Sequence, residues 1–78
     1  MSPTWKADLR QAVVKQLSKN KQSGITGIGT DNLFMILRFP QHGPEGTNAR
    51  YIARQIFDEV VDELPGSLRR QILAIDEP

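Results

Sequence analysis

The sequence predicts a small α+β domain with elements in the order α, β, β, α, α, in which helices pack on a two-stranded antiparallel hairpin. Three observations predict it. Apolar residues recur every three or four positions from Thr4 to Lys19. A broad apolar stripe runs from Ala49 to Leu64 and stops at Pro65-Gly66. Between them, a glycine-rich stretch leads into Leu33-Phe34-Met35-Ile36-Leu37-Arg38-Phe39. As a helix, this run would be apolar around its whole circumference, and so small a domain has too little interior to bury every side.

In the first helix Trp5, Leu9, Ala12, Val13 and Leu17 form the apolar side, with Lys6, Arg10, Gln11 and Lys15 elsewhere on the wheel. Ser2 or Thr4 can cap it, Pro3 suits its first turn, and the polar residues Asn20 to Ser23 end it. As a strand, Leu33, Met35, Leu37 and Phe39 line one face, while Phe34, Ile36 and Arg38 line the other. Ser23 to Ile28 is then the hairpin partner, and Gly29-Thr30-Asp31-Asn32 is the turn. The alternative is an all-α four-helix domain with residues 31–39 helical, since Leu and Met favour helix and Thr30 or Asp31 can cap one. In the next helix Thr47 or Asn48 caps a stripe of Ala49, Ile52, Ala53, Ile56, Phe57, Val60, Val61 and Leu64. Ser67 opens a short last helix whose Leu68, Ile72, Leu73 and Ile75 cover the end of the core.

Composition narrows the class. Seventy-eight residues, 38% hydrophobic, make a single globular domain spanning 1–78, because two cores of half that size would each bury too little surface. A domain this short is marginal without reinforcement. The absence of cysteine removes disulfides, and His42, the single histidine, cannot build a zinc site. Self-association is left, so a homodimer is expected. No run reaches the roughly 20 apolar residues of a membrane-spanning helix, and the N-terminus lacks a secretion-signal pattern, which together give a cytoplasmic expectation with no membrane partner.

The glycines do not form a recognisable ligand loop. Gly24-x-x-Gly27-x-Gly29 follows a helix and not a strand, and no lysine precedes Thr30, so neither a dinucleotide fingerprint nor a P-loop fits. Gly24-Ile25-Thr26-Gly27 has the GxxG spacing of KH domains but no basic residue within it. Gly27-Ile28-Gly29-Thr30-Asp31 with Leu64-Pro65-Gly66-Ser67-Leu68 is similar to fragments of an annexin repeat. That family needs a carboxylate about forty residues after the loop, where Arg69 and Arg70 stand here. A turn is the expected role of these glycines. No cofactor is expected.

Charge supplies the candidate sites. Residues 1–40 carry six basic and two acidic side chains, net +4, and residues 41–78 carry four and seven, net −3. Within the second half, the Ala49–Leu64 helix is charged against its own dipole: Arg50 and Arg54 stand in its first turns, and Asp58, Glu59, Asp62 and Glu63 crowd its end. The acids make a docking patch for a basic partner, unless Lys6, Arg10, Lys15, Arg69 or Arg70 neutralise them locally. Arg50 and Arg54, with Asn48, His42 and nearby Tyr51, can converge on a phosphate or carboxylate. Phe34 and Ile36 are the candidate dimer contact. No nucleophile has an identifiable base, so the expected function is a non-enzymatic protein-interaction or regulatory module. The alternative is nucleic-acid binding through Lys15, Lys19 and Lys21 with Arg38, Arg50 and Arg54.

Overall fold

A computed structural model of the chain describes residues 5–25, 27–37 and 49–73. Helix α1 (Trp5–Gln22) and helix α3 (Ala49–Glu63) form the frame. Strand β1 (Ile28–Gly29) and helix α2 (Thr30–Ile36) lie between them in sequence, and helix α4 (Gly66–Arg69) and strand β2 (Ile72–Leu73) follow. Among the described residues, four helices and one short strand pair make the domain mostly helical within an α+β arrangement.

The frame follows from helical periodicity. Leu9, Val13 and Leu17 of α1 meet Ala53, Phe57 and Val60 of α3, and Leu64 just beyond it, in a single core that Leu33 and Phe34 of α2 complete. Val13, Leu17, Leu33, Ala53 and Phe57 have no exposed surface at all. Lys6 near the start of α1 reaches Glu59 and Glu63 near the end of α3, so the two helices run antiparallel.

Helix α1 extends to Gln22, within the polar residues Asn20 to Ser23 expected to end it. The physical stop is Gly24. Its φ of +80° lets the Gly24 amide bond the Lys21 carbonyl (3.1 Å) and the Ile25 amide bond the Asn20 carbonyl (2.8 Å), a Schellman ending that satisfies carbonyls the helix would leave bare. Asn20, a residue that reads as polar surface, turns inward and is only 7% exposed, its Oδ1 accepting from Gln16 Nε2 at 2.9 Å.

The antiparallel hairpin is not formed. Residues 30–36 are helical, and Gly29-Thr30-Asp31-Asn32, expected as a turn, instead opens α2. The objection that such a helix would bury apolar side chains all round is met by leaving two of them out: Leu33 and Phe34 point into the core and Leu37 packs against it, while Met35 is 62% and Ile36 48% exposed. Asp31 in the first turn complements the positive end of the helix. Among the described residues of this stretch only Ile28 and Gly29 form a strand, and they pair with Ile72 and Leu73, in parallel, with Ile28 opposite Ile72. A parallel pair needs a long crossover, supplied here by α2, α3 and α4. Ile28 N–H donates to the Gln71 carbonyl (3.0 Å), and the Thr30 hydroxyl donates to the Leu73 carbonyl (3.1 Å).

The last helix is a single turn after Pro65, with no side-chain cap from Ser67. Leu68 and Ile72 pack against the core as expected, but Leu73 is 58% exposed. Phe39 and Ile75 lie outside the described residues.

Candidate interaction surface

Arg54 is the centre of the polar network. Burial of its stem works against the charge, but hydrogen bonds to Asp31 and Asp58 outweigh it and hold the guanidinium above its ordinary range. Nη1 donates to Asp31 Oδ1 at 2.7 Å, and Nε donates to Asp58 Oδ1 at 3.1 Å. Beneath it, Phe34 and Phe57 meet edge to face with centroids 5.2 Å apart. The Arg54 guanidinium lies 5.3 Å from the Phe34 ring and 5.6 Å from the Phe57 ring, and Arg50 lies 5.5 Å from Phe34. The cations thus close a lid over the aromatic part of the core, a geometry in which charge and ring quadrupole attract.

The candidate anion pair is therefore split in its engagements. Arg54 is occupied by two carboxylates of the chain itself, while Arg50 is exposed and, among the described residues, has no carboxylate bonded to it. Asn48 and His42 lie outside the described residues, as does Arg38. Of the candidate dimer contacts, Phe34 is buried (6% exposed) and Ile36 stands on the surface beside Met35.

In the acidic group, Glu59 and Glu63 both accept from Lys6 Nζ, at 3.1 and 2.9 Å, and Asp58 accepts from Arg54. The bonds to Glu63 first and Glu59 second raise the Lys6 ammonium above its ordinary 10.5. All of these pairs are at least a third exposed, so each contributes little to stability. Asp62 is left without a bonded cation among the described residues; Arg69, its neighbour, donates to the Asp62 backbone carbonyl at 3.0 Å.

Antiparallel packing of α1 on α3 sorts the remaining charges by end. Lys6 and the acids share one end of the frame, which brings Lys19 and Lys21 to the end where Arg50 lies. Lys15, Lys19 and Lys21 are all exposed. Asp31, the partner of Arg54, was not readable from local spacing, because the two are 23 residues apart. Tyr51 and Met35, at 66% and 62% exposure the most open large apolar side chains among the described residues, carry only a weak signal: each sits one position off an apolar stripe.

Among the described residues no three His, Asp or Glu side chains gather as a metal site, and no helix is long and apolar enough to cross a membrane. No protein-family model, curated protein or solved structure matches the chain significantly.

Proposed function

We propose that this chain is a non-enzymatic protein-interaction module that self-associates and offers the same surface to a protein partner. The observation that carries the reading is where the chemistry lies. Arg54, Lys6, Asp58, Glu59 and Glu63 are engaged within the chain, whereas Met35, Ile36 and Tyr51 face solvent. Exposed aromatic and thioether side chains beside an arginine have the composition of contact surfaces, which are enriched in Tyr, Met and Arg.

Nucleic-acid binding is the second reading, favoured by the gathering of Lys19, Lys21 and Arg50 at one end of the frame. The response to added nucleic acid separates the two, and phosphate contacts, which release counterions, weaken steeply as salt rises. Native mass is measured over a concentration series, and backbone amide spectra are recorded with mixed-sequence RNA and DNA at low and moderate salt. The proposal expects a mass that rises toward two chains and amides of Tyr51 and Met35 that move with protein concentration, without response to nucleic acid. A monomer at every concentration, with salt-sensitive shifts at Lys15, Lys19, Lys21 and Arg50 on adding RNA or DNA, would overturn it.

A further inference from the structure

Helix α3 has no acidic residue in its first turn and no basic residue in its last, the reverse of what its dipole favours. Asp58 with Asp62 and Glu59 with Glu63 add like-charge neighbours at i,i+4, each unfavourable by a few tenths of a kcal/mol. Lys6 answers the end of the helix on the side facing α1, and Asp31 answers Arg54 on the side facing α2. Between those two flanks runs an outward row with spacings of four, three and four: Tyr51, Gln55, Asp58 and Asp62, all exposed. Asp62, at the far end of this row, lacks a bonded cation among the described residues, and Arg50, beside the start of the row and over the Phe34 ring, lacks a bonded carboxylate among them.

A helix with cations at its start and anions at its end complements one thing by construction, its own copy turned antiparallel. Resting on the self-association reading above, we propose that two chains pair through this outward row of α3 about a two-fold axis between Gln55 and Asp58. In that register Tyr51 of one chain meets Asp62 of the other, and Gln55 meets Asp58. Arg50 and Arg54 then lie beside the second copy's Asp62 and Asp58. Two-fold symmetry repeats each contact, so Arg50 beside the row and Asp62 on it each gain an opposite charge, twice. The exposed Tyr51 ring supplies the aromatic contact at each end. An interface of one helix face is small, so the pairing is weak and salt-sensitive.

The test uses complementary charge variants of the full chain, each checked for helical content by circular dichroism. Arg50→Glu alone and Asp62→Lys alone each place like charges opposite one another and weaken self-association about tenfold or more. An equimolar mixture of the two variants restores it, because the carboxylate introduced at position 50 of one chain then faces the ammonium introduced at position 62 of the other, while the unaltered Arg50 and Asp62 face each other across the axis. Tyr51→Ala, which touches no described partner, is the second variant and also weakens the dimer. Mixing that restores nothing, or a dimer that both charge variants and Tyr51→Ala leave intact, would overturn the α3 pairing while leaving self-association standing. A native protein that stays monomeric at every concentration would overturn both. Should a charge variant lose helicity, the Tyr51→Ala result decides.

Discussion

Along α1 and α3 every third or fourth side chain disappears into the core, whereas across β1, α2, α4 and β2 only Leu33 and Phe34 do so among the described residues. The frame is held by burial, worth about 1.5–3 kcal/mol for each large apolar side chain taken from water. The flank is held mainly by half-buried contacts from Ile28, Leu68 and Ile72, a two-residue strand pair and the Thr30 bond to Leu73. Buried polar atoms without a partner among the described residues, Asn20 Nδ2 and Gln71 Oε1, lie at the end of α1 and just before β2. Each such group costs about 1–3 kcal/mol, one in the frame and one in the flank, so this unfavourable term does not separate the two regions. The proposed contact row belongs to the more deeply buried half of the molecule, on the outer face of α3, whose inner face carries Ala53, Phe57 and Val60.

Paired truncations break or sharpen this contrast most strongly. Phe57→Ala removes a fully buried ring and its edge-to-face contact with Phe34, and should lower unfolding stability by about 3–5 kcal/mol. Ile72→Ala, at the half-buried strand pair, should cost only about 1 kcal/mol. Chemical denaturation measures both, and comparable losses would erase the distinction between frame and flank.

The glycines give a smaller and sharper contrast. Gly24→Ala keeps open space around the new methyl group but forces a left-handed φ of +80° on alanine, for a loss of about 1 kcal/mol. Gly27→Ala places a methyl group 3.4 Å from the Leu73 side chain, which is half exposed and can shift, so it should cost less. A larger loss at Gly27 would mean that the strand pair is held more tightly than its burial indicates.

The same contrast explains what could be read from the sequence. Both frame helices were legible because Leu9, Val13 and Leu17, and Ala53, Phe57, Val60 and Leu64, repeat long enough to fix a period and a face. Residues 33–36 are too short a run to do so. Their helix is decided by which two side chains the rest of the fold covers, and by the partner Arg54 provides for Asp31. Parallel pairing of Ile28 with Ile72 was out of reach for a related reason, since the two are 44 positions apart in sequence and joined by a crossover of three helices. The glycines looked like a hairpin turn, yet Gly24 ends a helix; a positive φ serves either purpose, and local sequence does not say which. On the candidate surface, the helix charges were visible in the sequence, and Lys6, which pairs with Glu59 and Glu63, was among the cations it offered for the acids, but the partner of Arg54 was not: Asp31 engages it only through the tertiary fold.

Native-state amide hydrogen exchange tests the division between frame and flank most directly, because it reads each region in the unaltered protein. The amides of Val13, Leu17, Phe57 and Val60 should exchange only through global unfolding, and the Ile28 amide, bonded to the Gln71 carbonyl, through a local opening at least tenfold more frequent. Equal protection at Ile28 and Phe57 would show one cooperative unit and contradict the account.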